Sequence, residues 1–321
     1  MSYTRSAIVT GGTLNLGYHA ARDIARQHPD WLVVVCSRSD RGHAADSINE
    51  ALNQSNTVFM SLDLSDSKSV RNFAKDWSAR NYPPIQALCL NAALQFPDKI
   101  VYTPEGIEAT FAITHVGHAL LFHLLCSHLA ANARVVVTSS GVHDPAMNSG
   151  LPDAIYTTAE ELAHPPPAIA NGPGRRHYSN AKLANVMWVY ALHKRVSEKI
   201  PDRSIVVNAF DPGLMPGTGL AREASSVERF LWNKVFPKII PIIKAVYTDN
   251  IHKPSESGAS LARLAVSQET AGISGKYFEG RKEIRSSKDS YDEKKIEDLW
   301  EWTVKYCAQD GTEATRFERL V

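Results

Sequence analysis

Two side chains that could transfer a proton stand four residues apart in the string Tyr178-Ser-Asn-Ala-Lys182. In a helix this spacing places the tyrosine and the lysine on one face. A phenol, with a pKa near ~10, donates its proton poorly at neutral pH unless its anion is stabilised, and a neighbouring ammonium lowers that pKa. Upstream, Ser140 ends the string Val137-Thr-Ser-Ser140, and its hydroxyl could hold a reacting carbonyl oxygen. These residues predict general acid–base chemistry at a carbonyl or alcohol.

The spacing Tyr-x-x-x-Lys is not specific, because it also occurs at Tyr190/Lys194 and at Tyr291/Lys295. Position in the predicted fold separates the three pairs. Tyr190 lies further along the same predicted helix as Tyr178, roughly 18 Å away at ~1.5 Å per residue, and is turned about 120° from it. Tyr291 stands in a run of charged residues that is typical of a solvated helix start. We therefore expect Tyr178 to be the acid/base and Lys182 its partner.

A glycine-containing turn, Thr10-Gly-Gly-Thr-Leu-Asn-Leu-Gly17, joins the first predicted strand to a helix. In a parallel α/β sheet such a turn can bind a pyrophosphate, because backbone N–H groups and the helix dipole point at it and glycine permits close approach. The string G-x-G-x-x-G is absent. Asparagine is the non-glycine residue that most readily accepts a positive φ, so Asn15 is compatible with the turn. The predicted cofactor contacts of the turn are Gly11, Thr13, Asn15, Leu16 and Gly17.

The second predicted strand ends in Cys36-Ser-Arg38. A dinucleotide crosses the carboxyl ends of parallel strands, so the residue at this place would face the adenosine ribose. An acidic residue there would bind the ribose diol of NAD, whereas an arginine can pair with the 2′-phosphate of NADP. Arg38 thus predicts that NADPH is preferred over NADH.

Short apolar runs alternate with helical patterns along the whole chain, which indicates repeated βα units and a parallel sheet. The predicted strands are 6–10, 31–37, 57–63, 86–91, 134–139, 204–210 and 275–278. Helical periodicity occupies 17–28, 41–54, 67–80, 105–131, 176–199 and 292–307. The predicted fold is one α/β domain over 1–321, a Rossmann-type doubly wound parallel sheet of about seven strands.

Two segments depart from this alternation. Residues 141–175 are rich in proline, glycine and alanine and predict a long loop insertion. Residues 220–247 are densely apolar, with interspersed lysines and prolines that exclude a membrane span. Three interpretations stay open for the second segment: a lid-like helical cover over a substrate, ordinary core, or a helix at a membrane surface.

Composition excludes several classes of protein. Lys and Arg number 35 against 34 Asp and Glu, a formal charge of +1, so no nucleic-acid partner is predicted. Hydrophobic residues make up 44% and charged residues 21%, as in ordinary globular domains. The four cysteines are far apart in apolar surroundings and predict reduced core residues.

Without a signal-peptide pattern or a transmembrane segment, a cytoplasmic location is expected, with peripheral membrane contact as an alternative. The oligomeric state is left open.

Together these motifs resemble the short-chain dehydrogenase/reductase family over nearly the whole chain, and most closely its branch of retinol dehydrogenases and light-dependent protochlorophyllide reductases. The resemblance extends to Phe111-Ala-Ile-Thr-His-Val-Gly-His118 and to Ser274-Gly-Lys-Tyr-Phe278. In the family turn T-G-x-x-x-G-x-G, Asn15 replaces the middle glycine. The resemblance implies a set of further cofactor contacts: Asp63 and Leu64 beside the adenine, Asn91, Ala92 and Ala93 behind the cofactor, and Pro212, Gly213 and Thr218 from the Asp-Pro-Gly and Thr-Gly-Leu motifs.

One departure from the family concerns the proton relay. Thr114 stands where the family usually has an asparagine that holds a relay water, and its hydroxyl is the predicted replacement. Nearby histidines (His115, His118, His123 and His128) could suggest a metal face, but no carboxylate or cysteine accompanies them at ligand spacing, so no metal site is predicted. His143 and Asp144 could form an acid–base pair, but no nucleophile accompanies them, so they are interpreted as loop residues.

The resulting hypothesis is an NADPH-dependent oxidoreductase that acts on a small lipophilic carbonyl, alcohol or polarised double bond. Tyr178 would be the general acid/base and Ser140 would orient the reacting oxygen. Lys182 would tune the tyrosine and hold the nicotinamide ribose, so that Tyr178 and Lys182 also belong to the cofactor site. The alternative is a non-catalytic NADP-binding redox sensor of the same fold.

Overall fold

Apolar runs form the strands of one sheet in this structure, a computed structural model that describes residues 3–219 and 222–321. The strands are β1 (Arg5–Thr10), β2 (Trp31–Ser37), β3 (Thr57–Ser61), β4 (Ile85–Leu90), β5 (Leu129–Thr138), β6 (Val206–Asp211), β7 (Lys276–Glu279) and β8 (Lys282–Ile284). Their order is β3-β2-β1-β4-β5-β6-β7-β8, parallel throughout except for β8, which pairs antiparallel with β7. The prediction of a doubly wound, Rossmann-type sheet is confirmed.

Helices cover both faces of the sheet. They are α1 (Asn15–Gln27), α2 (Ala44–Leu52), α3 (Ser67–Ala79), α4 (Ala109–Phe111), α5 (Gly117–Leu125), α6 (Ala159–Ala163), α7 (Pro167–Ala170), α8 (Arg175–Lys199), α9 (Ser226–Phe230), α10 (Ile240–Val246), α11 (Pro254–Val266), α12 (Glu293–Cys307) and α13 (Gly311–Arg319). Helices α1 and α11 pack together on one face, while α3, α5, α8 and α12 occupy the other.

The central strands are buried on both faces, so their side chains alternate between two cores. In β2, Val34 packs into the core on the α8 side, whereas Val33 and Val35 pack into the core on the α1 side. Such strands read as continuous apolar runs rather than as an alternation of polar and apolar residues. This continuity is what made them predictable from the sequence.

The structure corrects several predicted elements. Within residues 3–219 and 222–321 the sheet has eight strands rather than about seven, because the polar run Lys282–Ile284 pairs with β7 after a turn at Gly280, whose φ is +55°. Helices α11 and α13 were not predicted. The fifth strand begins at Leu129 rather than at residue 134, and the other strand ends shift by up to two residues.

The long helix predicted over 105–131 is divided. A π-helical turn over Ala112–Val116 separates α4 from α5, and a 3-10 turn over Cys126–His128 ends the stretch. By length and composition, Ala109–His128 is apolar enough to cross a membrane, but it is almost entirely buried inside the protein, as a core helix would be.

Residues 141–175 hold two 3-10 turns and the short helices α6 and α7. Of the predicted lid over 220–247, the first two positions lie outside the described residues. The remainder consists of α9, a π-helical turn over Leu231–Val235, a 3-10 turn over Phe236–Lys238, and α10. None of the apolar residues predicted as its stripe belongs to the buried core: Phe230, Leu231, Trp232, Val235, Phe236, Ile239 and Ile240. The division into one domain, a loop insertion and a lid stays a prediction.

Candidate active site

A cleft of about 1070 Å³ runs along the carboxyl ends of the parallel strands. Its lining includes every predicted site residue except Thr114: Gly11, Thr13, Asn15, Leu16, Gly17, Arg38, Asp63, Leu64, Asn91, Ala92, Ala93, Ser140, Tyr178, Lys182, Pro212, Gly213 and Thr218. The sheet therefore brings the glycine turn, the strand ends and the Ser–Tyr–Lys set to one cavity. Neither Tyr190 nor Tyr291 belongs to the described lining.

The glycine turn has a left-handed backbone at two positions. Asn15 has a φ of +50°, as predicted, and Gly11 has a φ of +66°. A Cβ on Gly17 would lie 2.3 Å from the carbonyl oxygen of Gly11, so no other residue fits there. The first N–H groups of α1 are not capped by the side chain of Leu14. The turn and this helix end fit the pyrophosphate of a dinucleotide.

The loop after β4 is fixed to the end of β1 through Thr10. The backbone N–H groups of Asn91 and Ala92 donate to Thr10 Oγ1 over 2.8 and 3.0 Å. His118 Nδ1 lies 3.0 Å from the carbonyl oxygen of Thr114 and must donate to it, so Nε2 accepts from the Thr10 hydroxyl over 2.8 Å. Burial lowers the pKa of His118 to about 4, which keeps the ring neutral. His118 thus connects the π-helical turn to Thr10 at the end of β1, which lines the cleft.

Lys182 is held against the end of β5. Its ammonium donates to the carbonyl oxygen of Thr138 over 2.8 Å and lies 5.5 Å from the ring centre of Tyr178. Asn185 donates to the same carbonyl over 3.1 Å, and the Ser139 hydroxyl donates to the carbonyl of Lys182 over 2.8 Å. These bonds fix α8 relative to β5, and with it the position of Tyr178.

Burial dominates the protonation equilibria of the cleft. It raises the pKa of Tyr178, and the nearby Asp211 carboxylate raises it further. It lowers the pKa of Lys182 to about 7, against the opposing effect of Asp211. The sequence predicted that the ammonium would lower the tyrosine pKa. In this structure the net direction for Tyr178 is upward, because burial penalises the charged phenolate and the Asp211 carboxylate adds to that penalty.

Asp211 is a buried carboxylate that the sequence analysis did not assign to the site. Burial raises its pKa to about 6, while N–H groups of Gly213, Gly141 and Asn250 donate to it and oppose that rise. The bonds from Gly213 and from the Asn250 amide are each 2.9 Å long. Asp211 therefore joins the loop after β5, the loop after β6 and the chain that follows α10. The signal for it was an acidic residue at the carboxyl end of a strand.

His143 holds the backbone carbonyl of Ser140 by a hydrogen bond. The N–H of Ser287 donates to His143 Nε2 over 3.0 Å, so Nδ1 carries the proton and donates to the Ser140 carbonyl over 2.7 Å. Burial lowers the pKa of His143, which favours this neutral form. The neighbouring Asp144 accepts from the N–H of Ala146. The pair is thus part of a loop, and His143 positions the backbone at Ser140.

Thr114 lies behind the wall of the cleft. Its side chain is fully buried, and Oγ1 has no hydrogen-bond partner among the described residues. The other histidines of this region are packed: His115 lies 2.9 Å from Thr303 Oγ1, and His123 stacks on Phe317. In the part of the chain that the structure describes, no His, Cys, Asp and Glu group has the arrangement of a metal site.

Two arginines of the cleft lining lie close to each other. Arg38 lines the cleft after β2, and Arg222 lines it from the segment before α9. Burial lowers the pKa of Arg222, and the positive charge of Arg38 lowers it further. Two such guanidinium groups fit an anionic ligand group. Asp63 instead accepts from the backbone and hydroxyl of Ser65 over 2.9 and 2.6 Å.

Another part of the lining, which we call the apolar end of the cleft, is bordered by an ion pair. Its described lining includes Ile113, Val142, Met147, Leu151, Met215, Leu231, Trp232 and Phe236. Arg175, at the start of α8, pairs with Glu228 of α9 over 2.5 Å. Neither residue was predicted, since the contact depends on how the segment after β6 folds back over α8.

Comparison with known proteins agrees with this arrangement. A family model described as "short chain dehydrogenase" matches residues 5–153, and one described as "AcuH dehydrogenase domain" matches residues 221–314. The WW domain-containing oxidoreductase of Danio rerio is 30% identical over 95% of this chain and 69% of its own length. The polyprenol dehydrogenase of Danio rerio is 28% identical over 95% of this chain and 86% of its own length. The protochlorophyllide reductase of Avena sativa is 27% identical over 93% of this chain and 98% of its own length.

A solved structure of an uncharacterized protein from Mycobacterium paratuberculosis shares the fold, with a TM-score of 0.68 and 22% identity over 95% of this chain and 94% of that one. The enzyme prediction is confirmed, and the non-catalytic sensor is not favoured. The chain belongs to the short-chain dehydrogenase/reductase family and is an NAD(P)-dependent oxidoreductase.

Proposed function

We propose that this oxidoreductase uses NADPH and acts on a small lipophilic carbonyl, alcohol or polarised double bond, with Tyr178 as general acid/base. The observation that carries the proposal is the convergence of Ser140, Tyr178 and Lys182 on the cleft that also contains the glycine turn. A bound nicotinamide cofactor supplies or accepts the hydride. The side chains of the protein supply the proton and the position of the reacting oxygen.

In this proposal Tyr178 is neutral at physiological pH, because burial raises its pKa, and it donates its phenolic proton when a carbonyl is reduced. The Ser140 hydroxyl orients the substrate oxygen. Lys182, whose pKa is about 7, holds the nicotinamide ribose and supports the charge of the phenolate. The hydroxyl of Thr114 remains the proposed relay group. The Thr114 carbonyl is already engaged, because it accepts a hydrogen bond from His118.

The preference for NADPH is supported by Arg38, with Arg222 beside it. The other proposed cofactor contacts are those of the glycine turn, Asp63 and Leu64, the Asn91–Ala93 loop, and Pro212, Gly213 and Thr218. The lipophilic substrate is supported by the apolar end of the cleft and by two relatives named for polyprenol and protochlorophyllide. The segment over 220–247 is the proposed lid. A cytoplasmic location stays a prediction.

Replacing Tyr178 with phenylalanine tests the proposal. We expect Tyr178→Phe to abolish NADPH-dependent turnover of hydrophobic ketones while NADPH still binds, because it removes one proton donor and little volume. Tyr190→Phe is the matched control: Tyr190 lies on the same helix, and its hydroxyl lies 2.6 Å from Ser286 Oγ outside the cleft. Equal activity of the two variants would refute the assignment. Turnover and fluorescence-detected NADPH binding are the measurements.

A further inference from the structure

Residues 225–247 have an outward surface that is apolar and basic at once. Among the described residues twelve large apolar side chains are exposed, and six of them lie in this segment. Four of these do not line the cleft: Val227, Phe230, Ile242 and Val246 are 69%, 61%, 60% and 78% exposed. Together with Lys234 and Lys238 they form what we call the outer lid surface. A cluster of this kind marks an interaction site.

The exposed apolar residues are arranged with helical spacing. In the continuous helical run 226–235, Val227 and Phe230 stand three residues apart, and Lys234 follows four residues later. In α10, Ile242 and Val246 are four residues apart. At these spacings the side chains share one side of each helix. Lys234 lies at the end of the strip in 226–235, whereas Lys244, two residues from Ile242 and from Val246, lies on the opposite side of α10. An apolar strip with lysines around it is the pattern of helices that lie in a membrane interface.

The charges of the segment select the partner. Its cations are Arg229, Lys234, Lys238 and Lys244, and its acidic residue, Glu228, is already paired with Arg175. None of the three lysines has an ion-pair partner in the described ranges 3–219 and 222–321. Because the whole chain carries only +1, this surface is a local concentration of positive charge. A second copy would bring a like-charged surface against it, whereas an anionic bilayer complements it.

The same segment also has an inner side. Leu231, Trp232 and Phe236 line the apolar end of the cleft, whereas the apolar residues of the outer lid surface do not. From these observations we propose that the outer lid surface docks onto anionic phospholipid bilayers, with its apolar side chains in the headgroup–acyl boundary. Docking places the apolar end of the cleft next to the bilayer. It requires no turnover and stands apart from the proposed reaction.

Vesicle co-sedimentation of the full chain tests the proposal. Vesicles of phosphatidylcholine and phosphatidylglycerol in equal parts are expected to bind the protein, and phosphatidylcholine vesicles to bind it less. Raising the salt concentration should weaken binding. The double variant Phe230→Glu/Val246→Glu should lower the partition coefficient by at least about tenfold, because it places carboxylates in the apolar strips. Val321→Glu is the matched control, at a site that is 55% exposed and outside the segment.

A second variant and a second measurement guard against a folding artefact. Replacing Lys234, Lys238 and Lys244 with serine keeps the apolar strips, and binding to the anionic vesicles should fall while thermal unfolding is unchanged. Hydrogen exchange over 226–247 should slow when anionic vesicles are added without cofactor. The proposal is overturned if the wild type does not bind, or if Phe230→Glu/Val246→Glu binds like Val321→Glu. Concentration-dependent dimerisation that Phe230→Glu abolishes would also overturn it, in favour of a second copy.

Discussion

At the scale of single residues, the candidate site residues could be identified from their spacing in the sequence and from their backbone preferences. Asn15 was expected to accept a positive φ and does so, and Gly17 stands where a Cβ would collide with the backbone of Gly11. The direction of the Tyr178 pKa could not be predicted, because it depends on burial and on Asp211, which reaches the site from a distant strand. Local sequence therefore names the groups, and tertiary packing sets their protonation.

Arg38 carries the prediction on the cofactor. A charge-assisted contact to the 2′-phosphate contributes roughly 1.5–3 kcal/mol, so Arg38→Ala should weaken NADPH binding by about tenfold to a hundredfold and leave NADH nearly unaffected. Titration of both cofactors by fluorescence measures this. Arg26→Ala is the control, because Arg26 pairs with Asp23 on the solvent side of α1. A wild type that prefers NADH at equal concentration contradicts the assignment.

At the scale of elements, the strands and the long helices were predictable because each buries a continuous apolar run or face. The path of residues 225–247 was not. In the sequence its apolar residues are compatible with core, lid and membrane surface, and only the fold shows that those with a described side chain lie outside the buried core. The Arg175–Glu228 pair joins this segment to the helix that carries Tyr178.

That ion pair should hold α9 against α8. A partly exposed pair contributes up to ~1 kcal/mol, so Glu228→Gln should speed hydrogen exchange over 225–247 in the cofactor-free protein by up to about fivefold. Glu223→Gln removes a neighbouring charge without breaking the pair and serves as the control. Exchange that is slow and equal in all three proteins would show that the segment is held by other contacts.

At the scale of the whole molecule, α12 and α13 close the core over α5. His115 and His123 are buried in that packing, and burial lowers the pKa of each to about 3. Their pKa values lie below the ordinary value near ~6.5, so below that pH the unfolded chain takes up protons that the folded chain does not. Each histidine therefore makes folding less favourable as the pH falls from about 6.5 toward its own pKa.

Replacing His123 with phenylalanine tests this. The ring lies between Trp300 and Phe317 and its nitrogens have no partner among the described residues, so an apolar ring fits the site. His123→Phe should reduce the loss of stability between pH 6 and 4.5 by up to ~1.4 kcal/mol per pH unit. Glu108 and Asp211, whose burial raises their pKa to about 7 and about 6, titrate with the opposite sign in both proteins. The measurement is urea unfolding across pH, and parallel profiles contradict the prediction.

The hydrogen bond from Ser287 to His143 makes the backbone at Ser140 depend on a distant part of the chain. Every residue proposed to touch cofactor or substrate precedes Ser287 in the chain, yet the histidine that holds the Ser140 carbonyl takes its tautomer from the N–H of Ser287. A variant cut short before Ser287 would keep all of those residues and lose the bond that fixes the His143 tautomer. The backbone position at Ser140 therefore depends on a segment that lies far from it in the sequence.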